Sequence, residues 1–242
     1  MINTFLRDCD QLYDDWAHFR NYLNQPHVPE PYFGDPYECS VVMLNLNPGP
    51  ASCYWQSQRV LPNGEKTYHE HAFPFPYLNP GLQSLNCGGD VWWKNRNKWL
   101  ESWLPNGSQG RFPFALELYP WHTANWASVS LQNVNQYINN NNIFKVADLA
   151  AQYSLRPDIV LAVGKSVGGY LLANGFAKNK VVNSGNCQSV LGLPWPKNKG
   201  VPVNRTYEVY CHSSCKSKFI VTWAPGSNNA PSQAFHNIEK AL

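Results

Sequence analysis

Residues 41–50 read VVMLNLNPGP. Val41, Val42, Met43, Leu44 and Leu46 make a short, nearly continuous apolar run, the pattern of a strand covered on both faces. The run stops at Asn47-Pro48-Gly49-Pro50. Each proline fixes its own φ and lacks an N–H, so the loop is rigid and cannot extend a ladder. Gly49 supplies a backbone conformation closed to other residues, or room for a ligand to come close. Asn47 stands where strand meets loop. In an open α/β sheet, ligands bind beyond the carboxyl ends of the strands. The segment is therefore both a central strand and the first candidate for a site.

Further along the chain the same grammar recurs. FPFALELYP predicts a second strand over Phe114–Leu118, cut by Pro120. DIVLAVGKS predicts a third, Ile159–Val163, turning at Gly164 into a helix, and KFIVTWAPGSNN a fourth, Phe219–Thr222. Phe5, Cys9, Leu12, Trp16, Phe19 and Leu23 recur at helical spacing and predict an N-terminal helix within residues 1–25. Pro26, Pro29, Pro31 and Pro36 make an extended connector. Helices are predicted over Trp92–Leu104, Leu131–Asn139, Phe144–Tyr153 and Ser232–Ala241. Between lies a long aromatic insertion, about residues 51–90, and structureless stretches of that length are uncommon unless functional. Helices alternating with strands predict one α/β domain over 1–242, with a mostly parallel four-stranded central sheet flanked by helices on both faces. Four loops, NPGP, YPWHT, GKS and APGSNN, would then open at one sheet edge.

Composition sets limits. The chain has 242 residues, enough for one sizeable core. It is poor in charge, at 14%, and rich in rings, with ten tryptophans, more than such a core needs. No run is long enough to span a bilayer, and MINTFLRDCD is not a signal peptide, so no membrane partner is expected. Seven scattered cysteines suit a reducing cytoplasm better than a disulfide framework. Cys211, His212 and Cys215 have no second ligand pair nearby, and ordinary reduced thiols fit them better than a metal. Residues 1–149 carry nine Lys/Arg against thirteen Asp/Glu, whereas 150–242 carry ten against three. The C-terminal part is the side to meet an anion, and a polyanion fits. A solvated lysine-bearing surface fits the charge equally well.

Taken in order, these segments resemble the uracil-DNA glycosylase superfamily, most closely its single-strand-selective and mismatch-specific branches. Leu46-Asn47-Pro48-Gly49-Pro50 is similar to the family's G-(M/I)-N-P-G motif, and Val163-Gly164-Lys165-Ser166-Val167 to its LG-(K/R)-x-A segment. Leu116-Glu117-Leu118-Tyr119-Pro120 aligns with H-N-x-x-P. Ala224-Pro225-Gly226-Ser227-Asn228-Asn229 stands at the family's H-P-S-P segment, which leads into a DNA-penetrating stretch. The resemblance covers Val41 to the C-terminus apart from the insertion. It implies a DNA partner, no cofactor, no metal, no obligatory protein partner and base excision: flipping of a nucleotide and cleavage of its N-glycosidic bond.

Residue by residue, the resemblance implies that Asn47 positions the attacking water, with Leu46, Pro48, Gly49 and Tyr119 around the base. An amide orients water more than it activates it; the plainer role for Asn47 is to cap its own turn. The family's last-motif histidine is replaced here by Ala224, or by Trp223 if the register slips. Ser227, Asn228, Asn229 or His122 could stand in for it. Glu117 takes the place of a base-reading asparagine. Ionised, it accepts from the exocyclic amino group of cytosine; protonated, it offers a donor and an acceptor and reads uracil as well; an ion pair with a Lys or Arg is the structural alternative. Phe75 is the ring expected to stack on the base, with Phe73 and Tyr77 as rivals. Lys165 and Ser166 at a helix start, and Lys197, Lys199, Arg205, Lys216, Lys218 and Asn229, are the expected DNA contacts. A monofunctional glycosylase acting on a cytosine-type or modified base is the first expectation. The enlarged loop permits a bulky modified cytosine in foreign DNA, which is a phage-defence role. The second is a glycosylase-like fold that binds nucleic acid or a nucleotide without chemistry.

Overall fold

The computed structural model describes residues 1–19, 27–49, 67–72, 75–78, 88–123, 129–185, 187–198, 201–225, 231, 238–239 and 242. The described helices are α1 (Ile2–Phe19), α2 (Tyr68–Ala72), α3 (Gly88–Glu101), α4 (Leu131–Asn141), α5 (Ile143–Ala151), α6 (Lys165–Ala173) and α7 (Cys187–Leu191). The strands are β1 (Tyr32–Phe33), β2 (Val42–Asn45), β3 (Phe114–Glu117), β4 (Ile159–Val163), β5 (Ala177–Asn183), β6 (Lys197–Asn198), β7 (Val201–Pro202), β8 (Thr206–Cys211) and β9 (Lys218–Trp223).

The main sheet has seven strands in the order β1-β3-β2-β4-β9-β8-β5, and β6 with β7 forms a separate two-stranded ribbon. The four strands read from the sequence, β2, β3, β4 and β9, are neighbours and mutually parallel. Three further strands complete the sheet, each antiparallel to the neighbour it joins: β1 on β3, β8 on β9, and β5 on β8. The expected four-stranded, mostly parallel sheet is thus corrected to a mixed sheet of seven. The physical reason is the hairpin β8–β9, which needs only a short turn, and the return strand β5 that its free edge then accepts.

Burial follows position. All residues of β2, β3 and β4 are buried, as parallel strands covered on both faces require. Only Val182 is buried on β5, which ends the sheet with Lys178, Lys180 and a register shift between them. Lysines and a bulge are means of blunting an edge against further pairing. Helix α5 packs on β2, β3 and β4, and α6 packs on β9, β8 and β5. The buried Asp148 of α5 accepts the backbone N–H groups of Lys216 and Ser217 at 2.9 and 2.8 Å, pinning the turn before β9. Tyr68, Ala72, Phe75, Tyr77 and Leu78 of the aromatic insertion are core: Phe75 packs 5.4 Å from Phe33 and 4.7 Å from Trp93, and Tyr68 donates its O–H to Tyr32 O at 2.7 Å. No helix among the described residues is long and apolar enough to cross a membrane.

Candidate functional site

The chain passes from β2 to β3 on one side, then returns across β2 to β4 on the other. That reversal makes a topological switch point between the carboxyl ends of β2 and β4, where open α/β sheets bind ligands. Two segments line it, Leu46–Gly49 leaving β2 and Gly164-Lys165 leaving β4. Gly164 has φ +121°, and a Cβ there would lie 3.2 Å from Leu46 Cδ1, so only glycine fits the approach. Gly49, at φ +76°, bends the first segment as its sequence predicts.

The Asn47 loop is clamped to the loop after β3. Asn47 Nδ2 donates to Thr123 Oγ1 at 3.0 Å. The Thr123 N–H donates to Gly49 O at 3.0 Å. His122 Nδ1 lies 3.1 Å from the same carbonyl, so it is the protonated ring nitrogen there. Its Nε2 faces Glu30 Oε2 at 3.5 Å, with both side chains 2% exposed. Tyr77 donates its O–H to Glu30 Oε1 at 2.7 Å. Asn47 therefore does not spend its amide N–H on its own turn; it ties two loops, and its Oδ1 accepts no hydrogen bond from the described residues. His122 is buried, with its Nδ1 spent on Gly49 O.

A buried polar pair ends the neighbouring strands. Parallel pairing sets Asn45 beside Glu117, and Asn45 Nδ2 donates to Glu117 Oε1 at 2.8 Å. The residues are 4% and 2% exposed. Glu117 Oε2 is buried with no hydrogen-bond partner among the described residues. Burial pushes the Glu117 carboxyl well above the usual carboxylate value; the Asn45 hydrogen bond opposes this, the Glu30 charge adds to it and Arg96 opposes it. Burial therefore favours the neutral acid over the carboxylate. Arg96 is itself buried, its guanidinium 3.9 Å from the Trp92 ring centroid, and desolvation lowers its pKa to about 9.

The remaining expected site residues divide. Leu46, Pro48 and Gly49 are half-buried at the switch point. Tyr119 is buried and donates its N–H to Leu46 O at 2.9 Å, continuing the β2–β3 pairing. Phe75 is a core ring, 0% exposed, and offers no open face for a base. Lys165 and Ser166 are exposed at the start of α6, with Lys165 Nζ 5.1 Å from the Trp223 ring centroid. Lys197 is exposed on β6. Arg205 is buried and donates to Thr222 Oγ1 at 3.3 Å; desolvation lowers its pKa, and Tyr207 and Glu239 oppose that. That is an internal tie, not a surface phosphate contact. Lys216 and Lys218 are exposed at the opposite, amino-terminal edge, since Lys218 pairs with Ile159 at the start of β4. Four residues of strand, about 13 Å, separate that edge from the carboxyl ends. Lys199, Ser227, Asn228 and Asn229, with Phe73, lie outside the described residues.

Sequence reasoning missed Asn45, Glu30, Thr123 and Arg96. Two had a signal: Asn45 is a polar residue inside an apolar strand, and Glu30 is a charge held between Pro29 and Pro31. Among the described residues no group of three His, Cys, Asp or Glu side chains is placed to hold a metal ion. Comparison with family models, curated proteins and solved structures returns no match.

Proposed function

We propose that this chain is a monofunctional DNA glycosylase that hydrolyses the N-glycosidic bond of a flipped base, a cytosine-type or modified one, at the β2–β4 crevice. The observation that carries the reading is the buried Glu117–Asn45 pair, with one carboxyl oxygen unpartnered among the described residues, one strand from the clamped Asn47-Pro48-Gly49 loop. A dry polar pair with an unused hydrogen-bonding group costs stability, and such groups are kept where a ligand completes them.

In this reading Asn47 Oδ1 accepts from the attacking water and aims it at the sugar carbon. The Thr123 hydrogen bond fixes the amide, and the Thr123 N–H and His122 Nδ1, both on Gly49 O, fix the loop that carries it. The help is orientation and electrostatics rather than proton removal. A base that displaces the cover over the buried Glu117 Oε2 would meet a donor and an acceptor in the neutral form that burial favours. The ionised-glutamate preference for an exocyclic amino group does not follow from a neutral acid. Selection of a modified cytosine then falls to the enlarged loop of residues 51–90, and a role against phage DNA bearing such bases rests on it.

One observation favours a second reading, a glycosylase-like binder without chemistry. At the end of β9 the positions expected to hold the leaving-group histidine are Trp223, beneath Lys165, and Ala224. A panel of oligonucleotides bearing uracil, cytosine or bulky modified cytosines, incubated with the protein and then treated with alkali, separates the two. Strand breakage at the test base supports the glycosylase; binding without breakage on every substrate supports the binder.

A further inference from the structure

Residues 184–205 form an excursion that starts and ends at one place. Asn183 closes β5 and pairs with Thr206, which opens β8 and pairs with Trp223 at the end of β9. The excursion therefore stands beyond the carboxyl edge of the sheet, the edge that carries Asn47 and Lys165. It is held from within: the Ser184 N–H donates to Arg205 O and the Arg205 N–H to Ser184 Oγ, each at 3.0 Å, and the Val203 N–H donates to Pro196 O at 3.1 Å.

On this braced platform Trp195 is 42% exposed, with Cη2 3.8 Å from where a Gly185 Cβ would stand. Lys197 is exposed two residues on. Between Asp158 and Glu208 the chain carries six Lys/Arg and no Asp or Glu, and Lys165 and Lys197 are exposed. An exposed indole with exposed lysines at the same sheet edge is a combination that binds single strands: charge follows the backbone, and a ring stacks a base of any identity. A duplex offers no unstacked base face to such a ring.

We propose that Trp195 is a stacking platform for single-stranded nucleic acid, holding a base away from the flipped one, with Lys197 and Lys165 on the phosphates between; this rests on the nucleic-acid reading of the β2–β4 crevice. Four strand spacings, about 19 Å, separate β2 from β5. That is roughly five nucleotides at the 3.4 Å stacked rise, and fewer when the strand is extended. The substrate this surface fits is a single strand, or a duplex opened on one side of the target base.

The test is fluorescence anisotropy with labelled oligothymidylate of increasing length, and with a blunt hairpin duplex as control. The proteins are wild type, Trp195→Ala, Trp195→Phe and Lys197→Ala, each checked for folding by circular dichroism. Trp195→Ala weakens single-strand binding about tenfold or more, only for strands long enough to reach from the crevice, and Trp195→Phe stays near wild type. Lys197→Ala lowers the log–log salt slope by about one. The proposal is overturned if Trp195→Ala binds the single strand as wild type does, or loses single strand and hairpin equally. It is also overturned if Trp195→Ala instead abolishes a dimer seen by sedimentation, which would make this surface a contact between copies. Wild type that binds no nucleic acid sinks the functional reading as well; binding indifferent to Trp195 sinks this inference alone.

Discussion

Replacing Glu117 by glutamine tests the protonation state on which the base-reading argument turns. The carboxamide keeps an oxygen for Asn45 Nδ2 and puts an N–H where the neutral acid has its O–H. Burial raises the folded-state pKa of Glu117 well above the usual value of 4.5. Below that value the carboxyl is protonated in both folded and unfolded chains, and its contribution to stability is fully present. As pH rises the unfolded chain releases the proton while the folded chain holds it. Stability then falls by about 1.4 kcal/mol per pH unit until the folded acid ionises. The carboxamide of the variant has no proton to release. From pH 4.5 up to the folded-state pKa the wild type should therefore lose stability relative to Glu117→Gln, at up to about 1.4 kcal/mol per pH unit. Glu239, also raised by burial, is present in both proteins and cancels. Urea unfolding at pH 5, 6 and 7, analysed as two-state, reads the difference. A difference constant with pH would mean that Glu117 is ionised when folded, balanced by Arg96, and would return the site to an acceptor of amino groups.

Further outcomes follow from the same geometry. Gly164→Ala should cost about 1–3 kcal/mol in thermal or urea unfolding, because φ +121° is closed to alanine and the new Cβ meets Leu46; an unchanged stability would mean the β4–α6 turn is not held as described. Phe75→Ala should cost about 3–5 kcal/mol, as a buried ring between Phe33 and Trp93. Loss of base discrimination with stability intact would instead make it a stacking ring. Lys165→Ala should lower the salt slope of DNA binding by about one, and Lys218→Ala should leave it unchanged, since the two stand on opposite sheet edges. The reverse pattern would move the nucleic-acid surface to the amino-terminal edge.

The parallel centre of the fold was legible because apolar runs ending in Pro or Gly mark buried strands. β8 was legible in principle, as TYEVYC alternates and is rich in rings and β-branched residues. β5 was not: AKNKVVN is an exposed edge strand whose lysines protect it by not looking like one. At the site, Asn47 and Glu117 stood out because each follows or ends an apolar run before a proline. Which residues partner them was hidden, because only the sheet order sets Asn45 beside Glu117 and brings Thr123 to Asn47. The charge imbalance of the C-terminal part was visible, but not its division: Arg205 is buried, Lys216 and Lys218 stand at the amino-terminal edge, and Lys165 and Lys197 stand exposed toward the carboxyl edge.

The most direct measurement of the central claim is single-turnover release of the test base by wild type and Asn47→Ala at saturating enzyme, read as alkali-labile strand breaks, with DNA affinity measured in parallel. The account predicts breaks at the test base with wild type. It predicts that most of the rate is lost in Asn47→Ala, with affinity unchanged and the fold retained at a cost of about 1 kcal/mol for the lost Thr123 hydrogen bond, because the side chain acts on the water in the chemical step. Equal rates for the two proteins, or no breaks with wild type on any base in the panel, would contradict it.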